Sequence, residues 1–133
     1  MGRGCRPLLL SCLILVVVGC GLSVSVGRIS ISEIGTCQEV DTEGQPLRIT
    51  SIFPAGTHIV YLYFRLESPT AVPLEIRWFW EDNLIGTMSQ RLEAGLHHTW
   101  LAAEEGESLP PGKYRVEVIA GKMTIGETNF VIR

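Results

Sequence analysis

His58-Ile59-Val60-Tyr61-Leu62-Tyr63-Phe64-Arg65-Leu66 is the stretch on which the fold turns. Val60, Leu62, Phe64 and Leu66 recur at every second position with Tyr61, Tyr63 and Arg65 between them, and a period of two belongs to a strand. The first set should face a core and the second should face away from it. The same period returns a turn later, where Ile76, Trp78 and Trp80 alternate with Arg77 and Phe79. Two indoles and an aliphatic make the better core face.

Working outward, runs of β-branched and aromatic residues recur between short turn-forming stretches, and no helical period is sustained. Strands are expected at about 29–40, 47–53, 58–66, 74–80, 84–92, 97–102, 113–120 and 123–132. The separators carry their own chemistry. Residues 41–46 and 54–57 combine Gly, Pro, Asp and Thr, and Glu81-Asp82-Asn83 offers side-chain oxygens for Asx hydrogen bonds. Gly121 supplies positive φ for a tight hairpin between the last two strands. In those strands Tyr114, Val116, Val118 and Ala120 share a face, and Ile125, Thr128, Phe130 and Ile132 continue it after a phase break near Gly126 that predicts a bulge. Seven or eight short strands in a chain of this length fit an all-β antiparallel sandwich.

The segment Leu109-Pro110-Pro111-Gly112-Lys113-Tyr114-Arg115-Val116-Glu117-Val118 resembles the entry to the penultimate strand of fibronectin type III-like and bacterial Ig-like domains. There a Tyr just after a Pro-Gly turn forms a tyrosine corner. The resemblance implies that Tyr114 bonds back to its turn and that a Trp of the 74–80 strand, Trp78 or Trp80, lies in the core. It implies nothing about function.

The first nineteen residues read as a targeting segment, with Arg3 and Arg6 followed by an apolar run over 8–18 and small Gly19. A signal helix is expected there. Val17-Val18-Gly19-Cys20 resembles the bacterial lipobox, which implies cleavage before Cys20, a lipid on its thiol, and attachment to the membrane through that lipid. Residues 20–28 then form a tether, and 29–133 the sandwich domain. An uncleaved anchor over 8–26 is the competing reading, since 19 weakly polar residues approach the roughly 20 needed to span. If cleavage fell elsewhere, a Cys20–Cys37 disulfide would become possible. Without Arg3 and Arg6 the chain keeps nine basic against fourteen acidic residues, about −5. With no basic cluster, nucleic acid is not an expected partner. The address expected is the cell envelope: outer membrane or periplasm where there are two membranes, the cell surface where there is one.

Chemistry is harder to find. His97 and His98 are adjacent on a strand and so point to opposite faces, which argues against shared metal ligation. No spaced Cys pair, zinc-protease helix, calcium loop or nucleophile elbow occurs. Glu104, Glu105 and Glu107 read as a solvated acidic loop. No metal, cofactor or catalytic residue is therefore expected. The strongest remaining signal is the set Tyr61, Tyr63, Arg65, Arg77 and Phe79, which alternation turns outward. Aromatic residues with Arg are what protein-binding surfaces use. The expectation is a non-enzymatic binding module for a protein or polysaccharide; a structural accessory subunit of an envelope complex and an enzyme of another type are the alternatives.

Overall fold

The structure, a computed structural model, describes residues 29–133. The expected signal helix, Cys20 and the tether lie outside the described residues. All regular structure in the described part is strand: β1 (Ser30–Val40), β2 (Pro46–Ile49), β3 (Ile52–Phe53), β4 (Ile59–Glu67), β5 (Val72–Trp80), β6 (Asn83–Leu92), β7 (Gly95–Ala102), β8 (Gly112–Ala120) and β9 (Met123–Ile132). They form two sheets, ordered β3-β9-β8-β5-β6 and β2-β1-β4-β7.

The sheets pack through the faces that alternation selects. Val60, Leu62, Phe64 and Leu66 of β4 meet Leu74, Ile76 and Trp78 of β5 and Val116 and Val118 of β8, all buried. Phe130 is the aromatic hub of this core. Its ring stacks on Tyr114 with centroids 4.6 Å apart and meets Phe53 and Trp78 edge-on at 5.6 and 6.5 Å. Edge-to-face and offset-stacked rings gain about 0.5–1.5 kcal/mol per pair beyond area burial. Trp80, expected beside Trp78, is only half-buried and donates its Nε1–H to the Pro111 carbonyl at 3.1 Å. A bulge between Trp78 and Phe79 breaks the alternation there.

Two differences from expectation concern the strand count and direction. The 47–53 run is two strands in two sheets, which makes nine strands among the described residues. Thr50 marks the crossing. Its carbonyl accepts from the Thr36 hydroxyl and its N–H donates back to the Thr36 carbonyl. Its own hydroxyl exchanges bonds with Ile52. Pairing on both sides of one residue lets the chain leave one sheet for the other without stranding a buried backbone group. β3 then runs parallel to β9, an exception to the antiparallel pattern.

The turns behave as their residues dictate. Glu81 and Asp82 take φ of 48° and 70°, the left-handed pair that a two-residue hairpin between Trp80 and Asn83 requires. In β9 the pairing skips Ile125, which places the bulge beside Gly126. The Tyr114 hydroxyl donates to the Pro110 carbonyl, closing a corner across the Pro-Pro-Gly turn. Burial pushes its phenol up to about 12, so it remains a donor at ordinary pH. Gly112 is required in that turn: its φ is 142°, and a Cβ there would lie 2.6 Å from Trp80 Nε1.

One end of the sandwich holds the start of β1 together with residues 68–71, 93–94 and 121–122, since Ser30 pairs with Glu67 and Ala120 with Leu74. The opposite end holds the 41–45, 54–58, 81–82 and 103–111 segments and Arg133.

Candidate recognition surface

The five outward-facing residues do not form one patch. Because β4 and β5 press their inner faces together, their outer faces point in opposite directions. Tyr61, Tyr63 and Arg65 lie on the outside of the four-stranded sheet, and Arg77 and Phe79 on the outside of the five-stranded one. The sequence expectation of a shared face is corrected by this topology.

The Arg77–Phe79 side is occupied by its own neighbours. Arg77 Nε is 2.9 Å from Glu75 Oε2, and Arg115 bonds Glu117 and Asp82 at 3.1 and 3.0 Å. The Arg115 guanidinium also lies 4.1 Å above the Phe79 ring centroid. These are partly exposed pairs of modest value, but they leave little free valence for a ligand.

The other side is different. Register places residues in rows across the sheet: Ile49, Cys37, Tyr61 and Trp100 in one row, Gly35, Tyr63 and His98 in the next, Glu33, Arg65 and Leu96 in a third. Tyr61, His98 and Trp100 form a triangle of rings with centroids 6.2 to 6.4 Å apart. Trp100 is 51% exposed and Ile49 59%, while Tyr61 is half-buried. Arg65 holds Glu33 at 3.6 Å. The turn after β1 leans over this face, so that a Cβ on Gly44 would lie 3.9 Å from His98 Nδ1. That turn is internally braced, with Asp41 Oδ1 accepting from the N–H groups of Glu43 and Gln45. The result is an aromatic shelf with a polar lip, bounded by the β7 edge.

Tyr63 is a second correction: although it faces outward it is buried, because its ring lies across Gly35. Burial raises its phenol, and the neighbouring Glu33 and Cys37 add to the shift. A Cβ at position 35 would fall 2.6 Å from the Tyr63 hydroxyl and 2.9 Å from its ring carbon. Gly35→Ala should therefore eject the ring and cost about 1–3 kcal/mol, the range for overpacking. In a double-mutant cycle with Tyr63→Val the cost should largely vanish, because the smaller side chain clears the space. Urea denaturation of the four variants reads this directly.

Cys37 is fully buried, donates its Sγ–H to the Glu39 carbonyl at 3.1 Å, and has its thiol raised by burial. Two of the three histidines are committed locally: His58 Nδ1–H and His97 Nε2–H donate to the carbonyls of Glu107 and Glu93, both at 2.6 Å. Among the described residues no three His, Cys, Asp or Glu side chains converge as a metal site. Sequence reasoning missed Trp100 and His98, although their i, i+2 spacing on one strand was a usable signal. What it lacked was the pairing of β7 with β4, which brings them beside Tyr61.

No protein-family model matches the chain, and no curated protein sequence matches it. Among solved structures the chain is similar to an immunoglobulin-like protein from Pseudomonas aeruginosa, with 15% identity and a TM-score of 0.58, over 80% of this chain and 98% of that one. It also matches the alkylpurine DNA glycosylase AlkC of Pseudomonas fluorescens, bound to DNA containing an abasic site analogue, at 16% identity and a TM-score of 0.48, over 30% of that longer chain. The first likeness, with the two-sheet topology, defines the class: the domain is an immunoglobulin-like β-sandwich. The second is too loose to carry an argument.

Proposed function

We propose that the protein is a non-enzymatic recognition module of the cell envelope, held to the membrane by lipid on Cys20, that binds a protein or polysaccharide through the outer face of its four-stranded sheet. The observation that carries this reading is the exposed Trp100 grouped with Tyr61 and His98. Exposed aromatic side chains supply large contact area with few rotors to freeze, which is why they dominate binding hot spots. The immunoglobulin-like fold is compatible with such a role, though fold alone does not assign it.

Polarity of the domain supports display. The chain enters at the end bearing residues 68–71, and nine tether residues extend to about 30 Å at most. Tyr61 and Trp100 pair near the opposite end, where Ile59 meets Ala102. A lipid on Cys20 would thus leave the aromatic shelf in the membrane-distal half.

Recognition is tested by saturable binding to isolated envelope of wild type and of shelf and opposite-face variants. The address is tested separately, by intact mass and membrane fractionation beside Cys20→Ser. Wild type should lose residues 1–19, gain the mass of acyl chains and sediment with membranes, and the variant should do none of the three. Equal behaviour of the two would sink the lipid anchor and return attention to a Cys20–Cys37 disulfide or an uncleaved helix.

A further inference from the structure

The two sheets are not finished alike at their edges. On one side β2 is four residues long, begins with Pro46 and carries Arg48 at φ 56°, and β3 is two residues long. Short strands, Pro and kinks are how sheets prevent further pairing. On the other side β6 is a ten-residue edge strand that, among the described residues, pairs only with β5, and β7 lies at the matching edge of the second sheet. Neither is blunted. Residues 83–90 and 95–102 contain no Asp, Glu, Lys or Arg, in a chain that is 19% charged. Leu84, Ile85 and Met88 are exposed there. Between the two edges a slot of about 290 Å³ opens onto Trp78, past Gly86 and Met88. Gly86 has no positive φ, and a Cβ on it would meet Trp78 only at an ordinary 3.9 Å. Neither backbone conformation nor crowding therefore demands glycine there, and its missing side chain helps keep the slot open.

We infer that this side is a homodimer interface in which β6 pairs antiparallel with β6 of a second copy, joining two five-stranded sheets into one of ten. Three observations favour a second copy over a foreign strand. About a two-fold axis every residue near the centre meets its own counterpart, so a charge there would meet its like, and 83–90 carries none. Antiparallel pairing sets the two ends of β6 against each other, bringing Arg91 of one copy towards the 90%-exposed Asp82 of the other. Finally, a ten-residue strand is about 34 Å long and the two-sheet side wall about 20 Å deep, giving ~700 Å² per copy against the ~800 Å² of a standard stable interface. Depletion of charge with Met and apolar residues at the centre is also the composition of interface cores.

The test uses the full chain in its membrane. Thr87 and Ser89, each exposed on β6, are replaced singly by Cys, with Glu127→Cys at an exposed position of β9 as the control. Directly opposed residues of an antiparallel pair have Cα atoms about 4.5–5.5 Å apart, within the range a disulfide bridges. Mild oxidation should trap a disulfide-linked dimer of the chain at position 87, which the approach of Arg91 to the Asp82 end sets opposite its own counterpart, with less at 89 and none in the parent or the β9 control. Adding Ile85→Lys should weaken the band strongly by placing an unpaired charge in the apolar stretch that the second copy covers. No dimer above the parent at position 87 overturns the inference, as does trapping of a chain of another mass, which would make β6 an acceptor for a foreign strand. Trp100 also lines the slot, but the cross-link on β6 is read without any ligand of the aromatic shelf, so its failure and that of the shelf reading are distinguishable.

Discussion

Phe130→Ala is expected to lower the urea midpoint of the domain by about 2 M. The ring touches Phe53, Trp78 and Tyr114 and is nearly fully buried. Removing such a ring costs about 3–5 kcal/mol, because transfer energy is lost and the cavity collapses only in part. With a urea slope of roughly 2 kcal/mol/M the midpoint shift follows. Small domains hold only about 5–15 kcal/mol in total, so the variant should be close to its folding limit at 37 °C. Exposed Met123→Ala, at the opposite end of the same strand, should change little. Equal effects of the two would mean that the aromatic hub is not the centre of the core.

The second large effect concerns recognition. Trp100→Ala and Tyr61→Ala each remove a ring from the shelf, and hot-spot aromatics cost about 2 kcal/mol or more when truncated. A 2 kcal/mol loss is roughly a thirtyfold weakening, from the tenfold per 1.4 kcal/mol relation. Trp100 is half exposed and sits on an edge strand, so its removal should leave stability nearly unchanged. Arg77→Ala removes a side chain from the outside of the other sheet and should leave binding intact, because Arg77 is engaged with Glu75 and faces away. This contrast separates a surface effect from a folding effect. It also separates the two faces that alternation alone had merged.

That merging shows where sequence reasoning stops. The inner face of β4 was legible because Val60, Leu62, Phe64 and Leu66 keep strict alternation through the sheet centre. The corner at Tyr114 was legible only through the resemblance of the Leu109–Val118 segment to known β-sandwich domains, and the structure closes it on the Pro110 carbonyl. Alternation, however, gives each strand two faces without saying which sheet the strand joins. Tyr61 and Phe79 both read as outward, and only long-range pairing shows that outward means opposite sides. The crossing at Thr50 was hidden for a related reason. Residues 47–53 are uniformly strand-like, and the switch of sheet is made by hydrogen bonds to Thr36, fourteen residues earlier. Tyr63 misled because its burial depends on a glycine in a neighbouring strand. Trp100 was overlooked because its partner Tyr61 lies across a pairing that spans the whole β5–β6 hairpin.

The most direct test of recognition by the aromatic shelf is equilibrium binding of the lipid-free domain, residues 29–133, to envelope isolated from cells lacking the protein, with wild type, Trp100→Ala, Tyr61→Ala and Arg77→Ala compared after circular dichroism has shown all four folded. The account predicts saturable binding by wild type and Arg77→Ala, and at least a tenfold weaker affinity for both shelf variants, the step that corresponds to about 1.4 kcal/mol. Equal affinity of all four, or loss confined to Arg77→Ala, would contradict it and move the site off the four-stranded sheet.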